Sequence, residues 1–202
     1  MHELKFLIKK DCLFSLIFIL SAFLYNSSFF FVIPEKSNLQ EITFIFPSLM
    51  LFTGIIVRMS YVEDNYSTAT FLKALPISKE LIVKEKYLLS QILLVIGLLQ
   101  GFFLYSFYPQ IPLPLSFSGF LLVIAFIELH VANYLYAFFR FNFAIAYNTA
   151  PLLTLGILFI LYLNGLFFHS IRIHPVFAFL IFLLSLVINC LSMKASIKIF
   201  RK

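Results

Sequence analysis

Glu128 and His130 lie in the apolar run VIAFIELHVANYL (123–135), where a charge is hard to keep. An ionised carboxylate in hydrocarbon costs several kcal/mol, so Glu128 must face protein, water or a partner. One reading is a substrate or proton contact. The preferred reading is a protonated or hydrogen-bonded packing residue, with His130, Asn133 or a polar group of the following span as its partner. Glu128 and His130 are two positions apart and so point to different faces of a helix. Nothing in the chain completes a catalytic triad with them. His169 and His174 flank Arg172, but no Cys or Asp accompanies them, so an interfacial His pair fits better than a metal site. Asn142 and Asn148 bracket another apolar segment. They fit either a polar path or ordinary helix-end residues, and Pro151 beyond them predicts a kink.

Nucleotide chemistry has no seat here. There is no G-x-x-x-x-G-K-[ST], and the glycines at 54, 97, 101, 119, 156 and 165 are scattered. No catalytic, cofactor or metal-binding residue is expected on this chain.

The remaining chemistry is concentrated between Tyr61 and Tyr87 (YVEDNYSTATFLKALPISKELIVKEKY). This is the one long polar stretch, carrying Glu63, Asp64, Lys73, Lys79, Glu80, Lys84, Glu85 and Lys86.

The elements around these residues follow from composition. The chain is 62% hydrophobic and 12% charged, whereas soluble domains carry about 25% charged residues. It is therefore expected to be an all-α integral membrane protein. Crossing the bilayer takes about 20 apolar residues. Six segments qualify: about 12–33, 42–61, 87–108, 117–139, 143–163 and 175–194. They make one transmembrane domain over 1–202. The first run has no small-x-small cleavage pattern and reads as an uncleaved span. The proline-rich PQIPLPLS (109–116) reads as an exposed turn.

Lys and Arg placement sets the orientation. With the N-terminus inside, 13 of them fall on inner segments, leaving only Lys36 and Arg172 outside. The net charge of +6 is thus a topology signal with anionic headgroups as its contacts, and nucleic acid is not needed to explain it. Both termini and residues 62–86 are expected in the cytoplasm. Cys12 and Cys190 then share that face and read as free thiols. Residues 2–11 read as an interfacial helix or a basic flank. In the helical reading Leu4, Phe6, Leu7 and Ile8 face lipid and Lys5, Lys9 and Lys10 face headgroups.

Within the loop, Glu63 and Asp64 end the second span. Residues 65–75 can form helix, with Phe71, Leu72 and Leu75 as an apolar edge. Pro76 breaks it. Ser78 is an expected N-cap for a second helix, with Glu80 in its first turn. That helix runs into the third span at Tyr87. An apolar edge with charged rims is what a docking element needs.

This loop resembles that of ABC-2 type transporter permeases, particularly the small six-span bacterial group. The residues are Glu63-Asp64 after the second span, then Ala74-Leu75-Pro76-Ile77-Ser78, Ile82-Val83 and Lys86-Tyr87. The resemblance implies the permease subunit of an ATP-driven exporter in a bacterial plasma membrane. It implies pairing with a second permease, homo- or heterodimeric, each docking an ABC ATPase that carries ATP and Mg. The ATPase-docking residues it points to are Glu63, Asp64, Phe71, Leu72, Leu75, Pro76 and Ser78. Glu128 and His130 remain an intramembrane polar site. A stand-alone secondary transporter would show broken spans in matching halves, and only the fifth span is interrupted. A haem-exporter-type membrane subunit is similar in size and span count and fits less well. A membrane enzyme or an assembly subunit is less favoured again, because the polar loop with its docking edge suits an ATPase partner better. Phe-rich, nearly uncharged spans suit an apolar or amphipathic cargo such as a peptide, lipid or drug.

Overall fold

The computed structural model describes residues 54–64, 77–106, 117–149 and 174–200, and ten positions between Leu7 and Leu24. Among these residues everything beyond short turns is helical, and there is no strand. Two compact units divide the chain, Met1–Pro114 and Leu115–Lys202.

In the first unit, helical residues between Leu7 and Leu24 form the N-terminal segment. Leu13, Leu16, Ile17, Leu20 and Leu24 are exposed on it, and the Ser21 hydroxyl donates to the Ile17 carbonyl. A hydroxyl satisfied by its own helix needs no water, which suits a lipid-facing surface. Leu7, placed toward lipid in the interfacial-helix reading, is instead buried, while Lys9 is exposed. Helix α1 spans 54–64 and buries Ile55, Ile56 and Met59. Helix α2, Lys79–Ser106, has 28 residues and rises about 42 Å at 1.5 Å per residue. It buries Ile82, Val83, Tyr87, Leu89, Leu93 and Leu94.

In the second unit, α3 spans Phe117–Arg140. A turn at Phe141 and Asn142 leads into α4, 143–149. Asn142 caps α4: its Oδ1 accepts from the Ile145 N–H at 2.9 Å. Asn148 and Thr149 donate to the carbonyls of Ala144 and Ile145. Both asparagines are thus used by α4 itself. Helix α5 spans Pro175–Phe200 and begins at His174, whose carbonyl accepts from Phe177.

Helix α5 is turned inside out relative to a soluble core helix. Its buried residues are Ala178, Ser185, Asn189 and Ser196, all small or polar. Phe177, Phe179, Leu180, Leu184, Val187 and Leu191 are exposed. Water would penalise that arrangement, whereas lipid favours it, and small residues let helix backbones approach. Among the described residues, this helix is long and apolar enough to cross a membrane.

Helices α3 and α5 pack in parallel. Glu128 meets Asn189, the Ala132 carbonyl accepts from Ser192 Oγ at 2.7 Å, and the Phe139 and Phe200 rings lie edge to face at 5.3 Å. Numbers rise together along both helices.

Candidate functional site

The polar loop ends in a capped, unbroken helix. Ser78 Oγ accepts from the Leu81 N–H at 3.2 Å, and the Ser78 carbonyl accepts from the Leu81 and Ile82 N–H groups. This is the expected N-cap. Glu80 in the first turn pairs with Lys84 at 2.6 Å on the surface. From there α2 continues through Tyr87 without interruption. Residues 79–106 are therefore one continuous helix, stiffened by an unbroken hydrogen-bond ladder.

Just below Tyr87 the same helix carries the densest electrostatics of the described residues. Lys86 Nζ lies 2.6 Å from Glu63 Oε1, 2.7 Å from Asp11 Oδ2 and 3.7 Å from Glu85 Oε2. All four side chains are buried. Three pieces of chain contribute: the N-terminal segment (Asp11), the end of α1 (Glu63) and the base of α2 (Glu85, Lys86). Burial on its own would push the Lys86 ammonium down. The carboxylates, Glu63 foremost, reverse this and hold it above its ordinary value. Burial pushes the Glu85 carboxyl up to about 8, and Asp11 and Glu63 add to this while Lys86 opposes it.

The sequence reading placed Glu63 among the docking residues of the loop and left Glu85 and Lys86 without a role. Glu63, Glu85 and Lys86 face inward, and Glu63 is held by Lys86. Asp64 and Lys84 lie outside the buried group. Sequence reasoning missed Asp11 altogether. The one signal for it was a single acid between Lys10 and Cys12, immediately ahead of an apolar run. Phe71, Leu72, Leu75 and Pro76 lie outside the described residues, as do Cys12, His169, Arg172 and Pro151. Cys190 is a free, exposed thiol.

Within the second unit, Glu128 and His130 are both buried on α3. Asn189 Nδ2 donates to Glu128 Oε2. One partner of Glu128 thus comes from the last expected span, a residue not among the His130, Asn133 and fifth-span candidates that the sequence offered. The pair ties α3 to α5 where small residues already bring the backbones close. No group of three or more metal-ligating side chains occurs among the described residues.

An apolar-out helix long enough to cross a membrane fits a membrane protein. The chain belongs to the ABC-2 family of transporter proteins, whose pattern it matches over residues 5–201. It is accordingly a transmembrane permease of the ABC transporter class, a transport subunit of a family generally without catalysis of its own and generally paired with an ABC ATPase. No curated protein and no solved structure matches it.

Proposed function

We propose that the chain is the membrane subunit of an ATP-driven exporter in a bacterial plasma membrane. Six spans carry both termini and residues 62–86 on the cytoplasmic side. Two such subunits pair, and each docks an ABC ATPase through the loop. ATP and Mg sit on that partner, and the cargo is apolar or amphipathic. Phe71, Leu72 and Leu75 are the docking edge, with Pro76 setting its exit.

The observation that carries this reading is the unbroken α2 rod, which starts at the Ser78 cap inside the polar loop and ends at Ser106. Displacement of the loop by a partner becomes displacement of a span without loss in a hinge. The geometry within each unit supports the topology. Asp11, Glu63 and Lys86 meet, so the start of the first span, the end of the second and the start of the third lie at one level. Parallel α3 and α5 support a fifth span that crosses back between them. Arg140 closes α3 and Lys198 lies in the last turn of α5, so the basic ends coincide in direction.

Co-purification with the ATPase tests the proposal. Truncating one hot-spot residue to Ala costs about 1–3 kcal/mol of association. The triple variant Phe71→Ala, Leu72→Ala, Leu75→Ala should insert normally and lose both the ATPase and transport-coupled hydrolysis. Unchanged recovery of the ATPase would refute the docking edge. Nucleotide-free coupled transport by the chain alone in liposomes would refute the ATP-driven reading.

A further inference from the structure

We propose that Asp11, Glu63, Glu85 and Lys86 form a one-proton latch: a single proton shared between Glu85 and Asp11 fastens the N-terminal segment to the base of α2, and its loss loosens that hold. The proposal rests on the geometry of the first unit and not on the export reading.

The argument begins with donors. A lysine ammonium has three N–H groups. Glu63 and Asp11 accept at 2.6 and 2.7 Å, while Glu85 stands off at 3.7 Å, beyond hydrogen-bond reach. Glu85 Oε1 is buried with no hydrogen-bond partner among the described residues. Glu85 and Asp11 instead crowd the same Lys86 ammonium, where each carboxyl raises the cost of ionising the other. Two carboxyl groups so crowded need a proton between them, since two adjacent buried carboxylates cannot both ionise. Fully ionised, the cluster would hold three negative charges against one positive. One proton halves the excess, and the unpartnered Oε1 becomes tolerable because a neutral carboxyl oxygen is far cheaper to bury than a charged one.

The charged groups facing Glu85 come from each packed element: Asp11 from the N-terminal segment, Glu63 from α1, and Lys86 from α2 itself. Lys9, Asp64 and Lys84 are exposed and stay outside the group. When the proton leaves to water, Glu85 and Asp11 repel, and the Lys86 bridge between the N-terminal segment and the bases of α1 and α2 works against that repulsion. The direction of the pH effect follows. The folded chain holds the Glu85 proton to about 8, against an ordinary 4.5. The latch's contribution is full below about 4.5 and is lost as pH rises to about 8.

The test uses the full chain in lipid nanodiscs. Infrared difference spectra between about pH 6 and about pH 9 should show one protonated-carboxyl band that disappears on the alkaline side. The melting temperature should fall over the same window. Glu85→Gln should remove the band and flatten the melting profile. Asp11→Asn, which takes away a negative neighbour, should move the midpoint to lower pH, and it serves where Glu85→Gln fails to fold. A wild-type chain with no titrating carboxyl band overturns the latch. So does a band that survives Glu85→Gln, or a midpoint that Asp11→Asn leaves in place.

Discussion

Lys86 and Glu63 stand at the two ends of the polar loop and meet across its base, Nζ to Oε1 at 2.6 Å, with both side chains buried. The loop is thus closed by an ion pair before any partner touches it. The start of α2 is thereby tied to the end of α1.

Removing the cation should be severe. Lys86→Met takes from the buried Asp11, Glu63 and Glu85 the cation that they share. Breaking a buried pair from one side costs about 3–5 kcal/mol. The expected outcome is a large drop in melting temperature, or loss of purified protein. Adding Asp11→Asn and Glu63→Gln to Lys86→Met should restore most of the loss, since neutralising a whole buried network is often close to neutral. A triple variant as unstable as the single one would argue that packing at position 86 matters more than charge.

The surface pair on the same helix is the contrast. Lys84 and Glu80 lie one turn apart, with side chains 47% and 33% exposed. Such pairs contribute about 0.3–0.5 kcal/mol. Lys84→Ala should leave the melting temperature nearly unchanged at moderate salt. A loss comparable to Lys86→Met would mean that Lys84 has a structural partner in the assembled complex.

These two lysines also show what a sequence can and cannot disclose. Ser78 as a cap, α2 running through Tyr87 and α3 over Phe117–Arg140 follow from local chemistry, because caps, prolines and apolar runs act over a few residues. The inward turn of Lys86 does not. Lys84 and Lys86 belong to one charged run, and which of them is buried depends on Asp11 and Glu63, far away in the chain. Asn189 as the partner of Glu128 was hidden for the same reason: a lone Asn in an apolar helix has no sequence signature for the helix it faces.

The Glu128–Asn189 contact can be dissected by shape. Glu128→Gln keeps an acceptor for Asn189 Nδ2, so stability should change little. Glu128→Leu leaves the buried Asn189 amide without its acceptor, at a cost of about 1–3 kcal/mol. Melting temperatures of the two variants should therefore separate. A Gln variant that is stable yet transport-dead would reassign Glu128 from packing to proton or cargo handling.

Topology is checked by cysteine accessibility. With Cys12 and Cys190 replaced, cysteines at Ser67, Ser116 and Ser170 should report inside, outside and outside. Labelling of position 67 by an impermeant reagent from the outer side would reverse the orientation and remove the loop from the ATPase.

Rigid transmission through α2 makes the sharpest demand. Leu88 is exposed on α2, one residue past the loop boundary at Tyr87, so a substitution there disturbs little packing. Leu88→Pro removes the backbone bond to the Lys84 carbonyl and crowds that carbonyl, at a cost of about 3 kcal/mol or more in helix continuity. The loop-side end, with its Ser78 cap and Lys86 cluster, is left in place. The variant should therefore still recover the ATPase, and ATP should still be hydrolysed. Transport should fall, because loop motion is now absorbed at the kink instead of moving the span. Leu88→Ala, which keeps the ladder, should behave like the parent chain. A Leu88→Pro protein that binds, hydrolyses and transports normally would show that α2 is no lever, and that force reaches the membrane half by another path.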